Sequence, residues 1–180
     1  PRKHEKKDIG KAPLTPKGYL DATRDESIIR EWWTRFPDAN IGVALDASGL
    51  MAIDCDSREA IQEAISLGLS EEPLTRISRW PAYLYLRTPD TPVVNSIGWG
   101  ESGKIDLLAS GYIVVHGKHQ TGKEIHIEEG QLSDAPGWAA EALKERTEPT
   151  SIPVPYDPDG PPVQLSALGQ DYWYGRKVVD

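Results

Sequence analysis

Apolar residues first recur at helical spacing between Thr23 and Pro37, where Ile28, Ile29, Trp32, Trp33 and Phe36 share one stripe. Thr23 and Glu26 stand three apart as a capping box, and Pro37 closes the segment. Two short, mostly apolar runs follow, over 41–45 and 50–53, with turn-forming residues at 46–49 between them. They read as strands, the second ending at Asp54-Cys55-Asp56. A second helix is expected over 57–67, with Ala60, Ile61, Ala64 and Ile65 inward and Gly68 as its stop. Strand-like stretches come at 74–78, 83–87, 105–108, 112–115 and 124–127, and a last helix over 137–146 buries Trp138, Ala142 and Leu143. This order predicts an α+β fold, a mixed or antiparallel sheet with helices packed against it.

Six prolines fall between 149 and 162, a density that excludes helix and central strand. The expected division is therefore a domain over 8–146 and a proline-rich linker with a C-terminal tail over 147–180. In that tail Tyr172, Trp173 and Tyr174 either fold back as an edge element or begin something further. Cys55 is the one cysteine, so an internal disulfide or a cysteine-based zinc site is excluded, and a reducing cytoplasm is the expected compartment. No apolar run, the stretch over 112–115 included, approaches the roughly 20 residues of a membrane span, so no membrane association is expected.

The net charge of −8 argues by itself against a nucleic-acid partner. Its distribution changes that picture. The first 35 residues carry nine Lys/Arg against six Asp/Glu, whereas the rest of the chain is acidic. Local patches decide partners, so the acidic residues of the middle become the question.

Asp54 and Asp56 emerge on the same side of a strand end, where their repulsion is relieved by a divalent cation such as Mg²⁺ or Mn²⁺. The plainer alternative is that Asp56 caps the helix that follows. Asp106 lies between Ile105 and Leu107 in a strand and either completes a three-carboxylate, two-metal cluster or faces water at an edge. Residues 98–104 match G-x-x-x-x-G-K, but Ile105 follows where Ser or Thr would hold Mg²⁺, and a strand follows where a helix is needed. A true P-loop is not expected; a glycine-rich loop whose Lys104 touches a phosphate stays open. His116, Lys118 and His119 cluster at a strand end, either to hold a triphosphate or as an exposed polar turn.

Lys11-Ala12-Pro13, Gly18, Ala22-Thr23, Trp32-Trp33, Pro37, residues 39–43, residues 48–50 and Asp54-Cys55-Asp56, followed by Ile105-Asp106, residues 111–115, His119 and Gly122, together resemble the bifunctional DNA primase/polymerase N-terminal domain of the archaeo-eukaryotic primase superfamily. The likeness covers about 8–146. It implies an RRM-like primase-polymerase catalytic core that binds nucleoside triphosphates and a template through two divalent metals. Asp54 and Asp56 match the first acidic motif and Asp106 the final one. Two positions depart from the pattern: Tyr83 stands where a His is usual, and Leu108 where an Arg is usual.

The resemblance implies a primase-polymerase, making and extending primers by metal-dependent, template-directed nucleotidyl transfer in phage or plasmid replication, in the host cytoplasm. Asp54, Asp56 and Asp106 are then the catalytic metal ligands. Lys118, His119, His116, Tyr83, Arg79 and Lys104 are the candidates for holding a dNTP or NTP. Lys11 and Lys17 of the basic N-terminal segment, with Trp80 and Trp99, are the candidates for the single-stranded DNA template, although core packing is the plainer reading of both tryptophans. A helicase or ATPase, fused downstream or acting in trans, is the partner that the linker fits. The Tyr83 departure favours the alternative of a catalytically lapsed single-stranded-DNA-binding or replication-initiator module. A two-metal nuclease shares the same carboxylates.

Overall fold

The computed structural model describes residues 10–70 and 72–147. After a 3-10 turn at Gly18–Asp21 the elements are α1 (Glu26–Arg35), β1 (Ile41–Ala44), the single-turn α2 (Leu45–Ser48), β2 (Leu50–Cys55), α3 (Arg58–Ser66), β3 (Leu74–Ile77), β4 (Ala82–Leu86), β5 (Asn95–Trp99), β6 (Ile105–Leu108), β7 (Tyr112–Lys118), β8 (Glu124–Ile127) and α4 (Gly137–Thr147). The proline-rich segment and Tyr172, Trp173 and Tyr174 lie outside the described residues.

The fold is α+β, and its eight strands form a sheet in the order β1-β7-β8-β3-β4-β2-β6-β5 with antiparallel neighbours throughout. Parity along β2 explains how it is covered. Met51, Ile53 and Cys55 face one side, where they pack with Tyr85, Ile105 and Leu107 against Ala60 and Ala64 of α3 and Leu143 of α4. Alanines on both helices allow close approach to the sheet. Ala52 faces the other side and packs with Ala82, Leu84, Leu45, Ile113 and Val115. Because Ile113 and Val115 come from β7, far along the strand order from β2, the sheet curls until its β7 end lies over the β2–β4 face.

Local chemistry shifts some boundaries. Asp25, rather than Thr23, caps α1, its carboxylate accepting from the backbone of Ser27 and Ile28, while Thr23 Oγ1 accepts from Asp25 N. No residue of α1 is buried, despite its apolar stripe. Ser57 caps α3 by accepting from Ala60 N, which frees Asp56 from the capping role considered for it. Strand β5 is not predicted by the sequence pattern, since Asn95-Ser96-Ile97-Gly98-Trp99 has no apolar alternation; pairing with β6 makes it the edge strand.

Candidate active site

Strand register builds the site. Asp54 at the end of β2 pairs with Ala82 of β4 on one side and Asp106 of β6 on the other, and Ala82 pairs in turn with Arg76 of β3. Residues in register share a face, so Arg76, Ala82, Asp54 and Asp106 form one row on the side into which the sheet curls. Asp56 lies just beyond, its backbone N–H donating to Lys104 O at 2.9 Å. A cleft of about 610 Å³ opens over this row.

The row holds a residue that sequence reasoning missed. Arg76 Nη2 donates to both carboxylate oxygens of Asp54 at 3.0 Å, and Arg76 Nη1 donates to Trp80 O at 3.2 Å. The reach crosses two inter-strand spacings, roughly 9–10 Å, which the short side chain of Ala82 leaves open. The Arg76 side chain is 10% exposed and that of Asp54 23%. Burial nonetheless pushes the Asp54 carboxyl up to about 6; Arg76 opposes the shift, while Asp56 and Asp106 add to it. Asp106 is also raised, first by burial, and is partly relieved by Gly98 N–H donating to its Oδ1 at 2.8 Å. The row therefore carries more negative charge than one arginine neutralises.

Hard carboxylate oxygens with surplus charge fit Mg²⁺ or Mn²⁺ in chemistry. The expected three-carboxylate ligand set is not assembled as such, however: among the described residues no group of three or more His, Cys, Asp or Glu is placed to hold a metal. Arg76, moreover, takes both oxygens of Asp54. A cation at Asp54 must share that carboxylate with Arg76 or displace it.

The same cleft carries basic side chains. Lys11 and Arg79 line it together with Arg76, as do His119 and Trp80. Burial, then the charges of Lys11, Arg76 and Arg79, holds the His119 imidazole below its usual range, so the ring is neutral at pH 7. Thr121 N–H donates to His119 Nδ1 at 3.2 Å, which places the proton of the neutral ring on Nε2. That N–H is a donor suited to a phosphate oxygen.

Other sequence candidates lie elsewhere. Tyr83 pairs with Ile53 and packs with the helix-covered core, on the face opposite the Asp54 row. Trp99 likewise stacks on Trp138 at 5.1 Å between ring centroids and belongs to that core. Lys118 and His116 are exposed on β7 and do not line the cleft, and Lys17 does not reach it either. Lys104 is near enough for its charge to favour the ionised form of Asp106. In the glycine-rich loop before it, the backbone N–H groups of Glu101 and Ser102 donate to the Glu63 carboxylate at 2.6 and 3.0 Å. The P-loop-like turn thus holds an internal anion in place of a phosphate.

Carboxylates and basic side chains thus line one cleft of an antiparallel α+β fold. The chain belongs to the family of the bifunctional DNA primase/polymerase N-terminal domain, whose family model matches residues 7–138 and so spans every element from α1 to β8. Comparison with curated proteins finds no match, and comparison with solved structures finds none either.

Proposed function

We propose that this domain is a primase-polymerase of RRM-like core, joining a dNTP or NTP to a primer on a single-stranded DNA template. The observation that carries the reading is the register pairing of Asp54 with Asp106 in a cleft that Lys11, Arg76, Arg79 and His119 also line. Asp54, Asp56 and Asp106 would hold Mg²⁺ or Mn²⁺, which when bound lowers the pKa of the attacking 3′-hydroxyl and neutralises charge on the transferring phosphoryl group. The chain's own residues do the rest. Lys11, Arg79 and the Nε2 proton of His119 face the triphosphate and stabilise the leaving pyrophosphate, while Trp80 at the rim offers a ring for base stacking. Arg76 serves as the counter-ion of Asp54 whenever a metal does not. The setting would be phage or plasmid replication in a host cytoplasm, alongside a helicase or ATPase.

The test is incorporation of a labelled dNTP on a primed single-stranded template with Mn²⁺ or Mg²⁺, against the Asp54→Ala/Asp56→Ala variant. Template-dependent extension by the wild type alone is expected. No extension under either metal, with a DNA probe still shifted, would instead favour the lapsed binding module; degradation of the template without any triphosphate would favour the nuclease.

A further inference from the structure

Asn40 carries no charge and is only half-buried, yet both ends of its amide are engaged. Its Nδ2 donates to Gly10 O and to Lys118 O, each at 2.8 Å, and its Oδ1 accepts from Lys118 N at 2.9 Å. One amide thus ties the residue before Lys11 to the end of β7, a contact across 30 residues on one side and 78 on the other. Space for it is cleared by two glycines in the left-handed region. At Gly117 (φ +123°) an added Cβ would collide with Asn40 Oδ1, and at Gly10 (φ +75°) it would come within 2.9 Å of Nδ2. Two further contacts hold the same strap to β7. Tyr112 Oη donates to Lys11 O at 2.7 Å, and Tyr19 stacks on Tyr112 at 5.7 Å.

These tethers have one consequence for the cleft. Lys11, at the start of an otherwise peripheral segment, is brought onto its wall, close enough for its charge to act on both Asp54 and His119. The sequence assigns Lys11 to template binding; the structure places it with Arg76, Arg79 and His119 instead.

We infer that Asn40 is a positioning residue that delivers Lys11 to the triphosphate of the incoming nucleotide, so that Lys11 is a nucleotide ligand rather than a template contact. The inference rests on the nucleotide-binding reading of the cleft and adds to it the strap that completes its anion-binding wall. A flexible lysine on a loose segment loses most of its phosphate affinity to the cost of ordering; a pre-placed one does not.

The experiment is equilibrium binding of dATP in Mg²⁺ buffer, with single-stranded DNA binding measured in parallel. It compares wild type, Lys11→Ala, Asn40→Ala and the double variant, each checked for a cooperative thermal melt. Lys11→Ala should weaken dATP binding about tenfold and leave DNA binding within twofold. Asn40→Ala should weaken dATP binding to a similar extent, and in the Lys11→Ala background it should cost nothing more, because it acts through Lys11. Should Asn40→Ala lose its melt, Asn40→Asp takes its place, since it keeps the acceptor for Lys118 N and loses both donations. Additive losses overturn the positioning role, as does a Lys11→Ala variant that weakens DNA binding and not dATP binding. A wild type that binds no dATP at all refutes the underlying nucleotide reading and the inference with it; dATP binding indifferent to both residues refutes the inference alone.

Discussion

Arg76 and Asp54 stand two strands apart, yet a fork of two 3.0 Å bonds joins them across Ala82. The pair sits at the centre of the acidic row and sets its charge. Its removal leaves a largely buried carboxylate without its counter-ion. Arg76→Ala should lower stability by about 2–3 kcal/mol at pH 7.5, below the cost of breaking a fully buried pair because Asp54 keeps some contact with solvent. Urea unfolding at pH 7.5 and pH 5 checks this. The gap should narrow at pH 5, where Asp54 takes up a proton; an equal gap at both would show that charge is not what the arginine supplies.

Asp54 gives a second pH signature. Burial raises its carboxyl from 3.8 to about 6, so between those values the native chain keeps a proton that the unfolded chain has released. The stability from this group is complete below about pH 4 and is lost as pH rises through 6, a change of order ~3 kcal/mol. Asp54→Asn carries no such charge. Relative to wild type, that variant should gain stability as pH rises from about 4 through 6 and level off above, and a flat difference across the whole range would contradict the burial of Asp54.

The loop over 98–103 answers to Glu63. Its carboxylate is held below the usual glutamate range, chiefly by hydrogen bonding from Ser102, and Gly100 (φ +85°) leaves no room for a Cβ beside it. Glu63→Ala should destabilise the domain by about 1 kcal/mol, the modest value of a charge-assisted bond near solvent. Gly100→Ala should cost at least as much, since it adds backbone strain to the lost bond. Thermal melts decide. Because a depressed carboxyl supports the fold only while ionised, the Glu63→Gln difference should fade on acidification through the carboxylate range.

How far these features are legible in the sequence depends on which physical signal each one leaves. Asp54 and Asp106 announce themselves because a carboxylate among apolar strand residues is costly unless something answers it. Ser57, Gly68 and the periodicity of α3 are local and readable. Arg76 is not: in Leu74-Thr75-Arg76-Ile77 it looks like an ordinary outward residue, and only the pairing of β3 with β4, and of β4 with β2, makes its outside the inside of a cleft. The face of Tyr83 is hidden for the converse reason, since a match by motif position cannot say which face a strand residue takes, and its pairing with Ile53 turns it to the helices. Lys11 and Asn40 depend on contacts between residues 30 to 101 positions apart, which no local pattern carries. The G-x-x-x-x-G-K match was readable as a false P-loop from Ile105 and the following strand, while the identity of its real anion, Glu63, was not.

Asp106→Asn tests the central claim most directly, because Asp106 comes from a different strand than the Asp54-x-Asp56 motif and joins it only through register. The substitution removes the charge and keeps an oxygen to accept from Gly98 N–H, so the fold has no reason to change. Single-turnover incorporation of a labelled dNTP on a primed template under Mn²⁺ should fall by about a thousandfold or more, roughly 4 kcal/mol of transition-state stabilisation, with the melting temperature preserved. Incorporation by Asp106→Asn within a few-fold of wild type would contradict the assignment of this row as the active centre.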